Sequence, residues 1–133
     1  MSRLRMLLAL GAGLVLAGCG SSGGGGTGPV AGTLYVTFTT PHADDGAVLV
    51  KVTGAAVTAV TVDTALKGYS RISTNGDTAM IVVAGTVHSG IVARLSVPDT
   101  KAFASYSASV LQVAQASTYA QRALAGYSAA VSQ

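Results

Sequence analysis

The side chains able to do chemistry are few. They are His42 and His88, five aspartates (Asp44, Asp45, Asp63, Asp77 and Asp99) and eight Lys or Arg, with no glutamate. The densest grouping is His42-Ala43-Asp44-Asp45. Two carboxylates, an imidazole and nearby backbone carbonyls make a candidate Ca²⁺ loop, because that ion takes hard oxygen ligands. The plainer reading, which we prefer, is a solvated loop whose Asp side chains accept turn N–H groups. A glycosidase needs two carboxyls facing one cleft. Asp44-Asp45 is the only adjacent pair, and in a turn such neighbours point apart. A Ser-His-Asp set can be assembled on paper from His42 or His88, but no Gly-x-Ser-x-Gly elbow accompanies it. No catalytic residue is therefore assigned, and no cofactor is expected. His88, beside Ser89-Gly90, reads as a hairpin-tip residue.

Five tyrosines (Tyr35, Tyr69, Tyr106, Tyr119 and Tyr127) could form a sugar-stacking platform. Tyrosines are more often half-buried with a wet hydroxyl, and the absence of Trp weakens the platform reading. No ligand-binding residue is assigned.

The single cysteine, Cys19, excludes an intramolecular disulfide and a Cys-based zinc cluster. It ends a leader. Arg3 and Arg5 open the chain, and Met6 to Leu16 is apolar. Eleven helical residues reach about 16 Å, half the hydrocarbon thickness of a bilayer. The stretch fits a signal-peptide core, not a membrane span. It closes on Leu16-Ala17-Gly18-Cys19. This motif resembles the lipobox of bacterial lipoproteins. The resemblance implies a diacylglyceryl group on the Cys19 thiol, cleavage between Gly18 and Cys19, and attachment to a membrane. Gly20, where enterobacterial lipoproteins retained in the inner membrane carry Asp, implies the outer membrane of a Gram-negative envelope.

Three segments follow: a signal peptide at 1–18, a lipidated Cys and flexible linker at 19–32, and a folded domain at 33–133. The linker is more than half glycine and carries no charge. Ordering it would cost too much backbone entropy, and it spans about 20 Å as a flexible coil. No Lys or Arg occurs between Met6 and Val50, so its glycines are not a phosphate loop. The formal charge is +3, but Arg3 and Arg5 belong to the leader. The remaining bases are scattered along the sequence, and nucleic-acid binding, which needs a basic stripe, is set aside.

The domain is rich in Val and Thr, residues that suit a pleated surface. Alternation predicts strands at 33–39, 47–53, 57–62, 69–74, 77–84 and 91–97. Asn75-Gly76 predicts a type I′ hairpin turn. In 91–97 the alternation sets Ile91, Ala93, Leu95 and Val97 on one face. The region 101–124 fits a strand or a helix. Ser-rich alternation favours a long strand at 103–114, followed by a last strand at 127–131. Seven or eight short strands indicate an all-β, antiparallel β-sandwich.

Residues 44–54 and 90–97 resemble two strands of cohesin-like modules, which are jelly-roll sandwiches. That resemblance implies a binding module of a bacterial surface, with a protein or carbohydrate partner. The expected function is a lipid-anchored envelope protein whose non-catalytic sandwich binds a protein or glycan. A purely structural envelope role is the alternative, and a small envelope hydrolase stands behind both.

Overall fold

The computed structural model describes residues 27–133; Gly18 and Cys19 lie outside them. Eight strands form two four-stranded sheets, all pairings antiparallel. They are β1 (Gly32–Thr39), β2 (Asp45–Thr53), β3 (Ala59–Val62), β4 (Lys67–Ile72), β5 (Thr78–Val87), β6 (Gly90–Val97), β7 (Ser107–Gln115) and β8 (Ser128–Ser132). One sheet has the order β3-β6-β1-β8 and the other β4-β5-β2-β7. The protein is thus an all-β antiparallel sandwich. A ribbon folded at the β4–β5 hairpin would pair β3 with β6, β2 with β7 and β1 with β8. All three pairings occur, so the sandwich is wound as a jelly roll is.

The core lies between the sheets. Leu34, Val36 and Phe38 of β1, Val48, Val50 and Val52 of β2, Ile81 and Val83 of β5, and Leu95 of β6 are all essentially inaccessible. Each position follows the period-2 rule that sends alternate side chains to one face. Fully burying a side chain of this size contributes about 1.5–3 kcal/mol.

Departures from alternation coincide with β-bulges, where one strand carries an extra residue and the inward phase resets. In β6, Val36 pairs Ala93 and Thr37 pairs Ile91, leaving Val92 as the extra residue. Val92 and Ala93 are both buried and Ile91 turns outward, which corrects the single-face expectation for 91–97. In β7, Gln112 pairs Leu49 and Val110 pairs Val50, with Leu111 extra. Between β2 and β7, Gly46 is the extra residue between Asp45 and Ala47, while on the other side two β5 residues, Gly85 and Thr86, oppose it. A Cβ on Gly46 would lie 2.6 Å from Ala116 Cα, so only glycine fits there.

Two further expectations change. Residues 100–105 are a 3₁₀ helix, not the start of a long strand. Asp99 caps it, accepting from Lys101 N–H at 3.1 Å, and it carries the chain from β6 in one sheet to β7 in the other. The 73–76 turn is not type I′. Gly76 N–H donates to Ser73 O at 2.9 Å, and among the described non-glycine residues only Tyr119 has positive φ, so Asn75 does not. A turn followed by one left-handed glycine is a type I turn with a bulge, which a loop longer than two residues permits.

The chain enters at the Val97 end of the sandwich. Val30 N–H donates to Asp99 Oδ1 at 3.0 Å and Val30 O accepts from Thr100 N–H at 2.7 Å. The end of the segment read as linker is therefore fastened to the 3₁₀ helix. From there β1 runs about 27 Å to the opposite end. Among the described residues no helix is long and apolar enough to cross a membrane.

Phe38 is fully buried and stacks on Tyr127 with ring centroids 5.9 Å apart. Phe38→Ala should lower unfolding free energy in urea by about 3–5 kcal/mol. Val82→Thr, on an outer face, should change it by no more than about 0.5 kcal/mol.

Candidate functional site

Two arrangements gather the polar and aromatic side chains: a cluster at the end of the sandwich away from the chain entry, and the outer face of the β2 sheet. The first is built around Asp45, the one buried charged residue among those described. The bulge at Gly46 aims its side chain inward. Arg122, on the return from β7 to β8, places Nε 3.0 Å from Asp45 Oδ1, without the alignment of a hydrogen bond. Arg122 Nη2 donates to Asp44 Oδ1. Tyr127 O–H donates to Asp45 Oδ1 at 2.9 Å and Thr40 O–H donates to Asp45 Oδ2. Gln115 Nε2 donates to Asp44 Oδ2 at 2.9 Å. His42 lies against the Tyr127 ring, centroids 5.8 Å apart.

This places the residues of the candidate Ca²⁺ loop. Asp44 and Asp45 do not point apart: both reach one guanidinium, because the bulge breaks the strand geometry between them. Arg122 supplies the counter-charge a cation would have supplied, and His42 packs on a ring. Among the described residues no three His, Cys, Asp or Glu are grouped to hold a metal. His88 sits where the chain passes from β5 in one sheet to β6 in the other, not at a hairpin tip. Ser89 beside it has its hydroxyl on Thr40, accepting from its N–H at 3.0 Å and donating to its carbonyl at 3.3 Å. These contacts lock loops together.

Partial desolvation pushes the Asp44 carboxyl up, but the bond from Gln115 and the charge and bond of Arg122 outweigh it, and its pKa falls below the usual value. Burial first, and then the bond to Asp45, raises the Tyr127 phenol, so it stays neutral as a donor.

The second arrangement is open to solvent. The outer face of the β2 sheet carries rows set by register. One row is Tyr69, Val82, Leu49 and Gln112, and the next is Arg71, Met80, Lys51 and Ser109. Above the first row the chain turns back: Gln115 N–H donates to Ala120 O and Ala114 pairs Gln121. At this turn Tyr119 is held at φ 56°, a left-handed conformation costing a non-glycine residue about 1–2 kcal/mol. The residue is 83% exposed. Tyr119, Gln121, Gln112, Leu49, Val82 and Ala47 line a hollow of about 320 Å³. On the same face Arg71, Met80, Thr78 and Thr74 border a second, of about 400 Å³.

The five tyrosines divide. Tyr106 is buried, with its hydroxyl donating to Ala56 O. Tyr127 belongs to the Asp45 cluster. Tyr35 has Arg94 6.0 Å from its ring centroid. Tyr69 and Tyr119 alone are strongly exposed, and both border the β2-sheet face. Arg122 escaped the sequence reading, although it is the only charged residue after Lys101 and an isolated charge in an apolar segment signals a buried partner. Gln112 and Gln121 carried no such signal.

The chain matches no protein-family model, no curated protein and no solved structure.

Arg122→Ala should leave the buried Asp45 charge unpaired and lower stability by about 3–5 kcal/mol, with Asp45→Asn in the same chain restoring part of the loss. Because the folded Asp44 pKa lies below the unfolded value, its contribution is full above about pH 3.9 and fades as pH falls through the folded value. Melting temperature should drop below about pH 4, with a shallower drop in Asp44→Asn.

Proposed function

We propose that this protein is a lipid-anchored component of the bacterial cell envelope, held at the outer membrane through Cys19, and that its sandwich is a non-catalytic module binding a protein or glycan. The observation that carries the reading is the coupling of a Leu16-Ala17-Gly18-Cys19 leader to a body with one open, aromatic-bordered sheet face. The leader motif supports cleavage before Cys19 and acylation of its thiol. Two or more acyl chains, at about 0.8 kcal/mol per buried CH₂, give stable anchoring.

Binding is favoured over catalysis by the state of the reactive groups. Asp44 and Asp45 are held by Arg122, and the Ser89 hydroxyl is held by Thr40. The lining of the upper hollow offers no Ser, Thr, Cys, His or Asp; at the second, Ser73 and Thr78 donate to Asp77 in the β4–β5 turn, and no His is among the lining residues to act as their base. The segments resembling cohesin-like strands fall on β2 and β6, central strands of the two sheets, in keeping with a surface-displayed binding module.

Mass spectrometry of the protein extracted from membranes of a Gram-negative host should find an N-terminal peptide beginning at Cys19 with a thioether-linked diacylglyceryl group. Cys19→Ser should abolish both cleavage and acylation. A bare Cys19 thiol in the wild-type chain, or residues 1–18 still attached, would overturn the anchor.

A further inference from the structure

Apart from Arg3 and Arg5, the chain has six bases: Lys51, Lys67, Arg71, Arg94, Lys101 and Arg122. Three are engaged. Arg94 lies near Asp63 and the Tyr35 ring, Arg122 binds Asp44 and Asp45, and Lys101 donates to Gly28 O. The other three, Lys51, Lys67 and Arg71, occupy outward positions of one face, the outer side of the β2 sheet. The register puts Lys51 and Arg71 in one row with Met80 between them. Two strand spacings set them about 10 Å apart, and Lys67 lies about 13 Å from Arg71 along β4. Among the described residues none of the three has a carboxylate partner, and none of the outward positions of β4, β5, β2 and β7 is acidic. The sequence scattered these charges; the sheet collects them.

The same face carries both strongly exposed tyrosines, an apolar strip of Leu49, Val82 and Met80, and the amides of Gln112 and Gln121. Its two hollows lie in line on the same face, Val82 lining one and Met80, two residues away on β5, lining the other, so the face offers a succession of shallow sites instead of one deep pocket. Successive shallow sites along one face suit a chain-like ligand. Flat exposed rings and an apolar strip suit the C–H faces of sugar rings, the amides suit hydroxyls, and unpaired cations suit acidic substituents. Three cations are too few for the salt-dependent grip nucleic-acid binding requires. The upper hollow lies at the end opposite the chain entry at Gly32, facing away from any surface holding the N-terminus. Tyr119, held at positive φ by the 115–121 turn, fits the tendency of backbone strain to persist at binding sites.

We infer that the outer face of the β2 sheet binds an acidic polysaccharide, with Tyr119 and Tyr69 stacking on sugar rings and Lys51, Lys67 and Arg71 pairing its carboxylates. This rests on the reading of the body as a binding module and names its ligand class.

The full chain, purified with its anchor in detergent, is titrated calorimetrically with galacturonic-acid oligomers, galactose oligomers of equal length, and poly-glutamate. The acidic oligomers should bind at least about tenfold more tightly than either comparator, and more weakly as salt is raised. Lys51→Gln/Arg71→Gln and Tyr119→Asn should each weaken binding about tenfold with an unchanged melting midpoint, since Asn tolerates the left-handed region. Arg94→Gln, on the other sheet, should bind as wild type. Equal binding of the neutral oligomers would overturn the role of the cations. Equal binding of poly-glutamate would replace the glycan with an acidic protein. No binding by any of the three would overturn the inference while leaving the Cys19 anchor, which is read by mass, untouched.

Discussion

A carboxylate with no access to water organises one end of this sandwich. Asp45 begins β2, yet its side chain lies where a core residue would. Its charge is tolerable only because Arg122, Tyr127 and Thr40 converge on it. Those partners come from the end of β1, from the return between β7 and β8, and from the residue before β8. A single buried group thus joins three segments that hydrophobic contact alone would leave loosely related. Burying a charge is expensive, so the arrangement fixes position more than it adds stability. The 116–127 return is pinned through Arg122, and the turn that presents Tyr119 is part of that return.

The bulges act in concert with this. Gly46 lets β2 approach Ala116 and rotates Asp45 inward. Leu111 resets β7 so that Val110 and Val113 both face the core while Gln112 faces out. Val92 does the same for β6. A bulge costs ladder bonds and bends the strand, and here each lets an edge or end of the sandwich change what it shows to solvent. The upper hollow is bordered by two strands carrying such resets, β2 and β7.

The two outer faces consequently differ. On the β1 sheet, Arg94 sits by Asp63 and Tyr35. The β2 sheet presents unpaired cations, two exposed rings and an apolar strip between them. Across residues 27–133 six bases nearly balance five acids, and that balance conceals the asymmetry. Charge and shape on such a surface are the terms on which any partner would be selected.

Strand composition and alternation were legible in the residues: Leu34-x-Val36-x-Phe38 and Val48-x-Val50-x-Val52 have one physical solution, a half-buried strand, and turn residues separate them. The leader reading rests on charge, apolar length and the Leu-Ala-Gly-Cys motif, all local features of residues outside those described. Alternation failed at Ile91 and Leu111 because a bulge is a property of a strand pair, invisible in one strand alone. Residues 100–105 were misread because short serine- and alanine-rich segments satisfy both periods. The joining of Asp44 to Arg122 spans a long loop of chain, and the gathering of Lys51, Lys67 and Arg71 on one face depends on which strands become neighbours. Local pattern determined that this chain would make strands and which side chains they would bury. Only the rolled pairing of those strands decided which distant charges cancel and which are left facing outward together.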